Sequence, residues 1–167
     1  MKKGKLIFFC GKMGAGKSTE ASKVAQEGNS VLLVEDEWLA SLYPNKISSL
    51  EDYIKYSNQL KPQIKKLAQS ILVTGANVVM DFPANTISQR SWFRTIFLEV
   101  DTSHNLIFID ASDETCLAQI EKRCQSHPER ALTDTPEMFE QITKYFVEPS
   151  PDELFDITRI VKGENKP

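Results

Sequence analysis

The sequence predicts an α/β fold with a five-stranded parallel sheet. Five short apolar runs, rich in β-branched or aromatic residues, alternate with longer helical segments, and a glycine-rich turn joins the first run to the first helical segment. Strand–helix alternation of this kind gives parallel strands joined by right-handed crossovers. The predicted strands are Lys5–Cys10, Ser30–Val34, Asn77–Phe82, Asn105–Asp110 and Asp156–Val161.

Helices are predicted in the segments between and after these strands. In the second of them, apolar residues from Tyr53 to Ile71 recur every three or four positions, so one face is apolar. Ser112 is placed to cap the fourth helix, with Thr115 in its first turn. The predicted helices are Lys17–Glu27, Leu50–Thr74, Ser88–Glu99, Asp113–Ser126 and Pro136–Phe146.

Length and composition restrict the class of protein. The 167 residues fit one domain, so we expect residues 1–167 to form a single unit. No apolar run approaches the ~20 residues of a bilayer span, and we expect a cytoplasmic protein with no membrane partner. The formal charge of −3 disfavours long nucleic acid as a partner, although a local basic cleft stays open. Composition leaves the oligomeric state unknown.

Residues 11–18 read Gly-Lys-Met-Gly-Ala-Gly-Lys-Ser, which matches the phosphate-binding pattern G-x-x-x-x-G-K-[ST]. The strand before it and the helix after it are the setting that a P-loop requires. We therefore predict that this turn binds ATP together with Mg²⁺. The predicted nucleotide contacts are Gly11, Lys12, Met13, Gly14, Ala15, Gly16, Lys17, Ser18 and Thr19.

The residue types of this turn suit a polyphosphate. Its glycines let the backbone take positive φ, so that the loop amides and the helix N-terminus can surround an anion. Lys17 can reach the β- and γ-phosphates as a point charge and serve catalysis, and Ser18 offers a hydroxyl to Mg²⁺. Thr19 is a candidate for the α-phosphate side. The alternative is a plain glycine turn with an incidental lysine, and the motif does not separate ATP from GTP.

Acidic residues follow the second and third strands, at the edge where open α/β sheets bind ligands. Asp36 is the first candidate for a general base that takes the proton of an acceptor hydroxyl. It could instead bind a metal or cap a helix. Asp81 ends an apolar strand, as does the carboxylate that orients Mg²⁺ in many nucleotide-binding proteins, although it could bind substrate or cap a turn. Which of the two acids is the base stays open.

Three arginines complete the set of candidates. Arg90 could clamp a phosphate or an acceptor group, or lie on a solvated helix face. Arg123 and Arg130 stand on either side of Pro128, where the helix must break. Arginines on a mobile segment can neutralise charge during phosphoryl transfer, so residues 123–134 are predicted to be a lid. Otherwise both are ordinary surface arginines.

Taken together, the P-loop, the two acids, Arg90 and the arginine-bearing lid resemble the small P-loop kinases of the zeta-toxin, chloramphenicol phosphotransferase and polynucleotide kinase group, many of them known as AAA-family ATPases. The resemblance covers nearly the whole chain. It implies a three-layer P-loop NTPase fold with sheet order 2-3-1-4-5 and a helical lid that closes over ATP. It also implies that Asp36 activates the acceptor and that Arg123 and Arg130 contact phosphates.

The function that these residues favour is transfer of the ATP γ-phosphate to a hydroxyl of a small molecule, because two acids and an arginine lid surround one P-loop. Two alternatives remain. One is a polynucleotide 5′-hydroxyl kinase, which would need a more basic channel than this acidic chain shows. The other is a nucleotide-dependent switch or ATPase without an acceptor. The acceptor itself depends on pocket shape, which no motif defines.

Overall fold

The computed structural model describes residues 2–163 and contains a five-stranded, wholly parallel sheet in the order β2-β3-β1-β4-β5. This confirms the α/β fold, the parallel sheet and the strand order. Each predicted strand matches an observed one within two residues. The strands are β1 (Leu6–Cys10), β2 (Ser30–Val34), β3 (Asn77–Pro83), β4 (His104–Ala111) and β5 (Ile157–Lys162).

Helices cover both faces of the sheet. Six α-helices lie within residues 2–163, and short 3₁₀ turns follow at Pro128–Leu132 and Pro151–Glu153. Five of the helices were predicted, and the second was not. The α-helices are α1 (Lys17–Ala25), α2 (Glu35–Leu42), α3 (Leu50–Val73), α4 (Ile87–Glu99), α5 (Asp113–Ser126) and α6 (Pro136–Thr143).

The core is divided into two layers by the sheet. Successive residues of a strand point to opposite faces, so Phe8 of β1 joins the cluster under α2, α3 and α4, whereas Phe9 joins the cluster under α1, α5 and α6. Both rings are fully buried, as expected for a parallel strand covered on both sides. The result is the three-layer arrangement that the sequence predicts.

Local capping determines where most helices begin. Ser112 accepts a hydrogen bond from the Thr115 amide at 3.1 Å, which confirms the predicted cap of α5. Helix α4 begins one residue earlier than predicted, because Thr86 and Gln89 form a reciprocal capping box ahead of it. None of the helices within residues 2–163 has the length and apolarity that a membrane span requires.

Helix α2 begins at Glu35, the residue that directly follows β2, with no loop between them. The N-cap residue is Val34, and no side chain caps this helix. The alternative explanation of Asp36 as a helix cap is therefore wrong. Because β2 pairs with β3 so that Val34 lies beside Asp81, the first turn of α2 starts next to Asp81 at the same sheet edge.

Strand β3 is irregular at this edge. Its register against β1 pairs Phe8 with Met80 but Phe9 with Pro83, so Asp81 and Phe82 are skipped. An irregularity of this kind bends a strand and redirects its side chains, and it commonly occurs beside functional sites. Here it lies at the carboxyl end of the central strands, directly ahead of the glycine-rich turn.

Candidate functional site

The turn after β1 is compact because two of its glycines have backbone angles that other residues rarely adopt. Gly14 has φ of 82° and Gly16 has φ of 102°. A Cβ on Gly14 would lie 2.5 Å from the Cys116 carbonyl oxygen, so the loop is pressed against α5. A side chain at either position would be strained by the backbone angle, and at Gly14 it would also clash with the backbone of α5. Both glycines are therefore required by the geometry of the turn.

The first residue of the P-loop is held by an asparagine from the loop between β3 and α4. The Gly11 amide donates to Asn85 Oδ1 at 2.9 Å. The Asn85 carbonyl accepts from the Val147 amide at 2.8 Å, and its amide donates to Gln89 Oε1 at 2.8 Å. Asn85 thus joins the P-loop to α4 and to the chain ahead of β5. It was missed in the sequence analysis, where no motif marks it.

The variable positions of the loop anchor it to the protein. Lys12 Nζ lies 2.7 Å from Asp113 Oδ1, in the first turn of α5, and 5.6 Å from the centre of the Phe146 ring. Met13 packs against the core beneath α1 and α5, and Ala15 is fully buried. The side chains of Lys12, Met13 and Ala15 thus contact the protein. Their predicted contacts with the nucleotide would be made by their backbone amides.

Lys17 and Ser18 stand at the start of α1, facing the end of β3. Lys17 Nζ donates to the Gly11 carbonyl at 2.8 Å, and Ser18 Oγ donates to Asp81 Oδ2 at 2.7 Å. Loss of hydration lowers the pKa of Lys17, and the carboxylate of Asp81 is the strongest opposing influence. Thr19 is exposed in the same turn. The structure therefore brings the lysine, the hydroxyl and one acid together.

Residues of this edge fit a magnesium nucleotide. A hydroxyl and a carboxylate within hydrogen-bonding distance are oxygen donors of the kind that Mg²⁺ takes from proteins, with phosphates and water completing its shell. Gly14 and Gly16 give the loop the positive φ angles that let its backbone amides surround a polyphosphate. Ser18 and Asp81 are the residues that would hold the metal.

Asp36 lies in the first turn of α2, where its side chain is exposed to solvent. Protein nevertheless surrounds enough of the carboxyl group that lost hydration raises its pKa, and the charge of Asp81 raises it further. The positive charges of Arg130 and Lys17 act in the opposite direction. Three other predicted site residues, Asp81, Arg130 and Lys17, are thus close enough to Asp36 to influence its protonation.

The neighbouring acid, Glu35, is in a different environment. Its side chain is 2% exposed and accepts hydrogen bonds from Tyr53 and Ser57 of α3, the latter at 2.8 Å. Burial raises the pKa of Glu35, and these two hydrogen bonds partly offset the effect. Glu35 therefore attaches α2 to α3, beside Asp36, and is not open to a ligand.

Arg123 and Arg130, the two arginines of the predicted lid, meet at a carboxylate that the sequence analysis did not identify. Arg123 donates to Asp134 Oδ2 at 2.9 Å, and Arg130 donates to the same oxygen at 3.2 Å. Within residues 2–163, the Nε of Arg123 has no hydrogen-bond partner. Asp134 and Arg130 both influence the pKa of Asp36, so this cluster borders the site. Asp134 ends the predicted lid, but nothing in its sequence context distinguishes it from other acids.

Arg90 is not available to a substrate, contrary to the prediction. Its side chain is fully buried and forms a two-pronged ion pair with Glu153, at 2.8 and 3.2 Å. The third nitrogen donates to the Ala84 carbonyl at 2.9 Å. The alternative of a solvated helix face is equally wrong. Arg90 is enclosed by protein, and its guanidinium joins α4 to the 3₁₀ turn ahead of β5.

Comparison with known proteins agrees with this fold. The AAA_33 family model, described as an AAA domain, matches residues 6–149. No protein of curated function matches the sequence. Among solved structures, the chain resembles the APS kinase CysC of Mycobacterium tuberculosis, solved with AMPPNP and APS, with 20% identity and a TM-score of 0.65 over 99% of this chain and 92% of the other.

Two further structures show how widely this fold is distributed. Kti12 of Chaetomium thermophilum, solved with ADP-AlF3, has 16% identity and a TM-score of 0.63, with 96% of this chain and 91% of the other covered. A sugar kinase from Janibacter sp. HTCC2649 has 16% identity and a TM-score of 0.59, over 95% and 85% of the two chains. At these identities the likeness establishes a P-loop, kinase-like fold, and leaves the acceptor undefined.

Proposed function

Because this chain belongs to the AAA domain family AAA_33, we propose that it is an ATP-dependent phosphotransferase that moves the γ-phosphate of ATP to a hydroxyl of a small molecule. The observation that carries the proposal is the convergence of a P-loop lysine, a Ser18–Asp81 pair and a second acid at one sheet edge. A nucleotide-binding protein needs the first two features. The second acid, Asp36, is the feature that a kinase needs in addition.

The phosphates would lie along Gly11–Ser18, where loop amides and the N-terminus of α1 stabilise negative charge. Ser18 and Asp81 would hold Mg²⁺, which would neutralise the negative charge that develops on the phosphate oxygens. Lys17 would leave its hydrogen bond to the Gly11 carbonyl and donate to the phosphates. The same charge-stabilising role suits Arg123 and Arg130, once they exchange Asp134 for a phosphate oxygen.

Asp36 would act on the acceptor. As the acceptor oxygen forms its bond to the γ-phosphorus, the hydroxyl proton passes to the Asp36 carboxylate, and the bond from that phosphorus to the bridging oxygen of ADP breaks. Burial and the charge of Asp81 raise the pKa of Asp36, which makes its carboxylate a stronger base than that of an ordinary aspartate. Residues 123–134 are proposed to close over the nucleotide as a lid.

The test is a screen of acceptors with ATP labelled in its γ-phosphate. Nucleosides, sugars, hydroxyl-bearing antibiotics and a 5′-hydroxyl oligonucleotide are each compared with a reaction that contains no acceptor. We expect one class of small molecule to become labelled. Label found only in inorganic phosphate, at a rate that no compound changes, would contradict the proposal and favour an ATPase or switch. Label in the oligonucleotide alone would favour the polynucleotide kinase.

A substitution at Asp36 tests the assignment of the base. Asp36→Asn should lower kcat for transfer by about 10²–10⁴-fold, the usual contribution of a positioned general base, while the Kd for MgATP stays within about twofold of that of the wild type. Glu37→Gln is the matched control, since Glu37 is an exposed acid in the same turn of α2. Transfer by Asp36→Asn at the wild-type rate would show that another group accepts the proton.

A further inference from the structure

A lysine from the last strand is placed against the P-loop. Lys162 ends β5, where it pairs in register with Ala111, the residue that precedes the cap of α5. A Cβ built on Gly16 would lie 2.7 Å from Lys162 Nζ and 3.9 Å from its Cε. The ammonium group therefore occupies the space that any side chain at position 16 would fill. Gly16 belongs to the motif, whereas Lys162 lies almost 150 residues further along the chain.

The charges around this ammonium group are unfavourable without an anion. Gly16 is the N-cap residue of α1, so the positive end of the helix dipole lies beside Lys162, and Lys17 follows immediately. In the described part of the chain, no carboxylate lies within ion-pairing distance of Lys162. A cation beside a helix N-terminus is stabilised when a negatively charged group lies next to both of them.

An open cavity on the surface of α5 lies next to Lys162. A space of about 330 Å³ opens along α5 and reaches Gly163; Thr115, Gln119 and Lys122 are among the side chains that line it. The Gln119 Oε1 lies 4.0 Å from the same Cβ position on Gly16. Lys162 is therefore between the P-loop and this cavity, beside the helix end that bears the exposed Ser18 and Thr19.

We propose that Lys162 is a second phosphate-binding lysine of the nucleotide site and that it contacts the phosphates where the nucleotide leaves the P-loop toward the cavity on α5. This proposal rests on the proposed function, because it requires that the P-loop bind a nucleotide. It adds a binding residue that lies outside the P-loop motif. The nucleoside would then lie in the cavity lined by Thr115 and Gln119.

The experiment measures binding of MgATP, MgADP and inorganic tripolyphosphate to the full chain by isothermal titration calorimetry. Lys162→Met should weaken the binding of all three by about tenfold or more, as expected for loss of a charge-assisted contact. Lys162→Arg should retain most of the affinity, since it keeps the positive charge. Lys66→Met is the control, because Lys66 is an exposed lysine of α3, on the opposite side of the sheet.

The outcomes separate this inference from the proposed function. A wild-type chain without affinity for MgATP or MgADP would overturn both. A wild-type chain that binds them, with an unchanged Kd in Lys162→Met, would overturn the role of Lys162 alone. Unchanged tripolyphosphate binding with weaker MgATP binding would also overturn it, because Lys162 would then contact the nucleoside. Thermal unfolding is measured first, and Lys162→Gln replaces Lys162→Met in the comparison if the latter does not fold.

Discussion

The buried ion pair between Arg90 and Glu153 yields a prediction about stability. Glu153→Gln keeps the size of the side chain but removes the charge that balances Arg90. The guanidinium is fully buried, and its three nitrogens donate to Glu153 and to the Ala84 carbonyl. It cannot move to water without leaving the core beneath α4. The variant therefore holds a buried cation without its counter-ion.

The expected cost follows from this geometry. Removing one partner of a buried pair typically destabilises a protein by about 3–5 kcal/mol. We take the lower end, about 3 kcal/mol, because the side chain of Glu153 keeps 13% exposure and some hydration. In a chain of this length, that loss corresponds to a fall in Tm of about 6–12 °C. Adding Arg90→Met to Glu153→Gln should recover part of the loss, since the uncompensated charge is then gone.

Thermal and urea unfolding of five proteins provide the assay: the wild type, Glu153→Gln, Arg90→Met, the double variant and Asp152→Asn. Asp152 is an exposed acid in the same 3₁₀ turn, and its substitution should change stability by less than about 0.5 kcal/mol. A Glu153→Gln protein as stable as the wild type would refute the reasoning. So would a double variant that loses as much as the two single substitutions added together.

The same pair makes stability depend on pH. Partial burial raises the pKa of Glu153, but the hydrogen bonds from Arg90 and from the Ser150 amide outweigh it, so the pKa lies below its ordinary value of 4.5. For a lowered pKa, the stabilisation is fully present above the unfolded value and is lost as the pH falls through the folded one. The Tm difference between wild type and Glu153→Gln should therefore narrow below about pH 4.5. A difference that widens in acid would contradict this assignment.

Two further predictions concern the charges around Asp36 and the lid. Asp81→Asn should lower the pKa of Asp36 and move the acidic limb of kcat/KM to lower pH, whereas Arg130→Met should raise the pKa and move the limb to higher pH. A shift of both limbs in the same direction, measured as pH–rate profiles, would contradict this. Asp134→Asn should lower the free energy of unfolding by about 1 kcal/mol or less, because Arg123 and Arg130 are partly exposed. Urea denaturation that shows a loss near 3 kcal/mol would refute that estimate.

Most of the fold could be predicted from the sequence because its signals are local. The alternation of apolar strands and helical segments defines a parallel sheet, and a cap such as Ser112 defines a helix end. Helix α2 was missed because Glu35 follows β2 without a turn residue between them. Its acids suggested ligand chemistry, and only the three-dimensional packing shows that Glu35 is buried against α3 while Asp36 is exposed.

The site was predictable only where a motif defines it. Gly14 and Gly16 do adopt the positive φ angles for which the motif needs glycine. Arg90 was misjudged because its partner, Glu153, is 63 positions away, and no local pattern reports such a pair. The role of Asn85 could not be predicted for the same reason, since its contact with the P-loop depends on how β3 lies beside β1. Side chains that meet across the sheet edge have no common spacing in the sequence.

Helices α2 and α3 both lie in the single connection between β2 and β3, which are hydrogen-bonded neighbours at one end of the sheet. The P-loop and the arginine segment come from other parts of the chain. Residues 35–73 thus form a continuous block with only two junctions, each next to a strand. Exchange of residues 35–73 between relatives would replace the site residues contributed by α2 and α3. The P-loop and residues 123–134 would not change. With this connectivity, acceptor specificity can change by recombination as well as by point mutation.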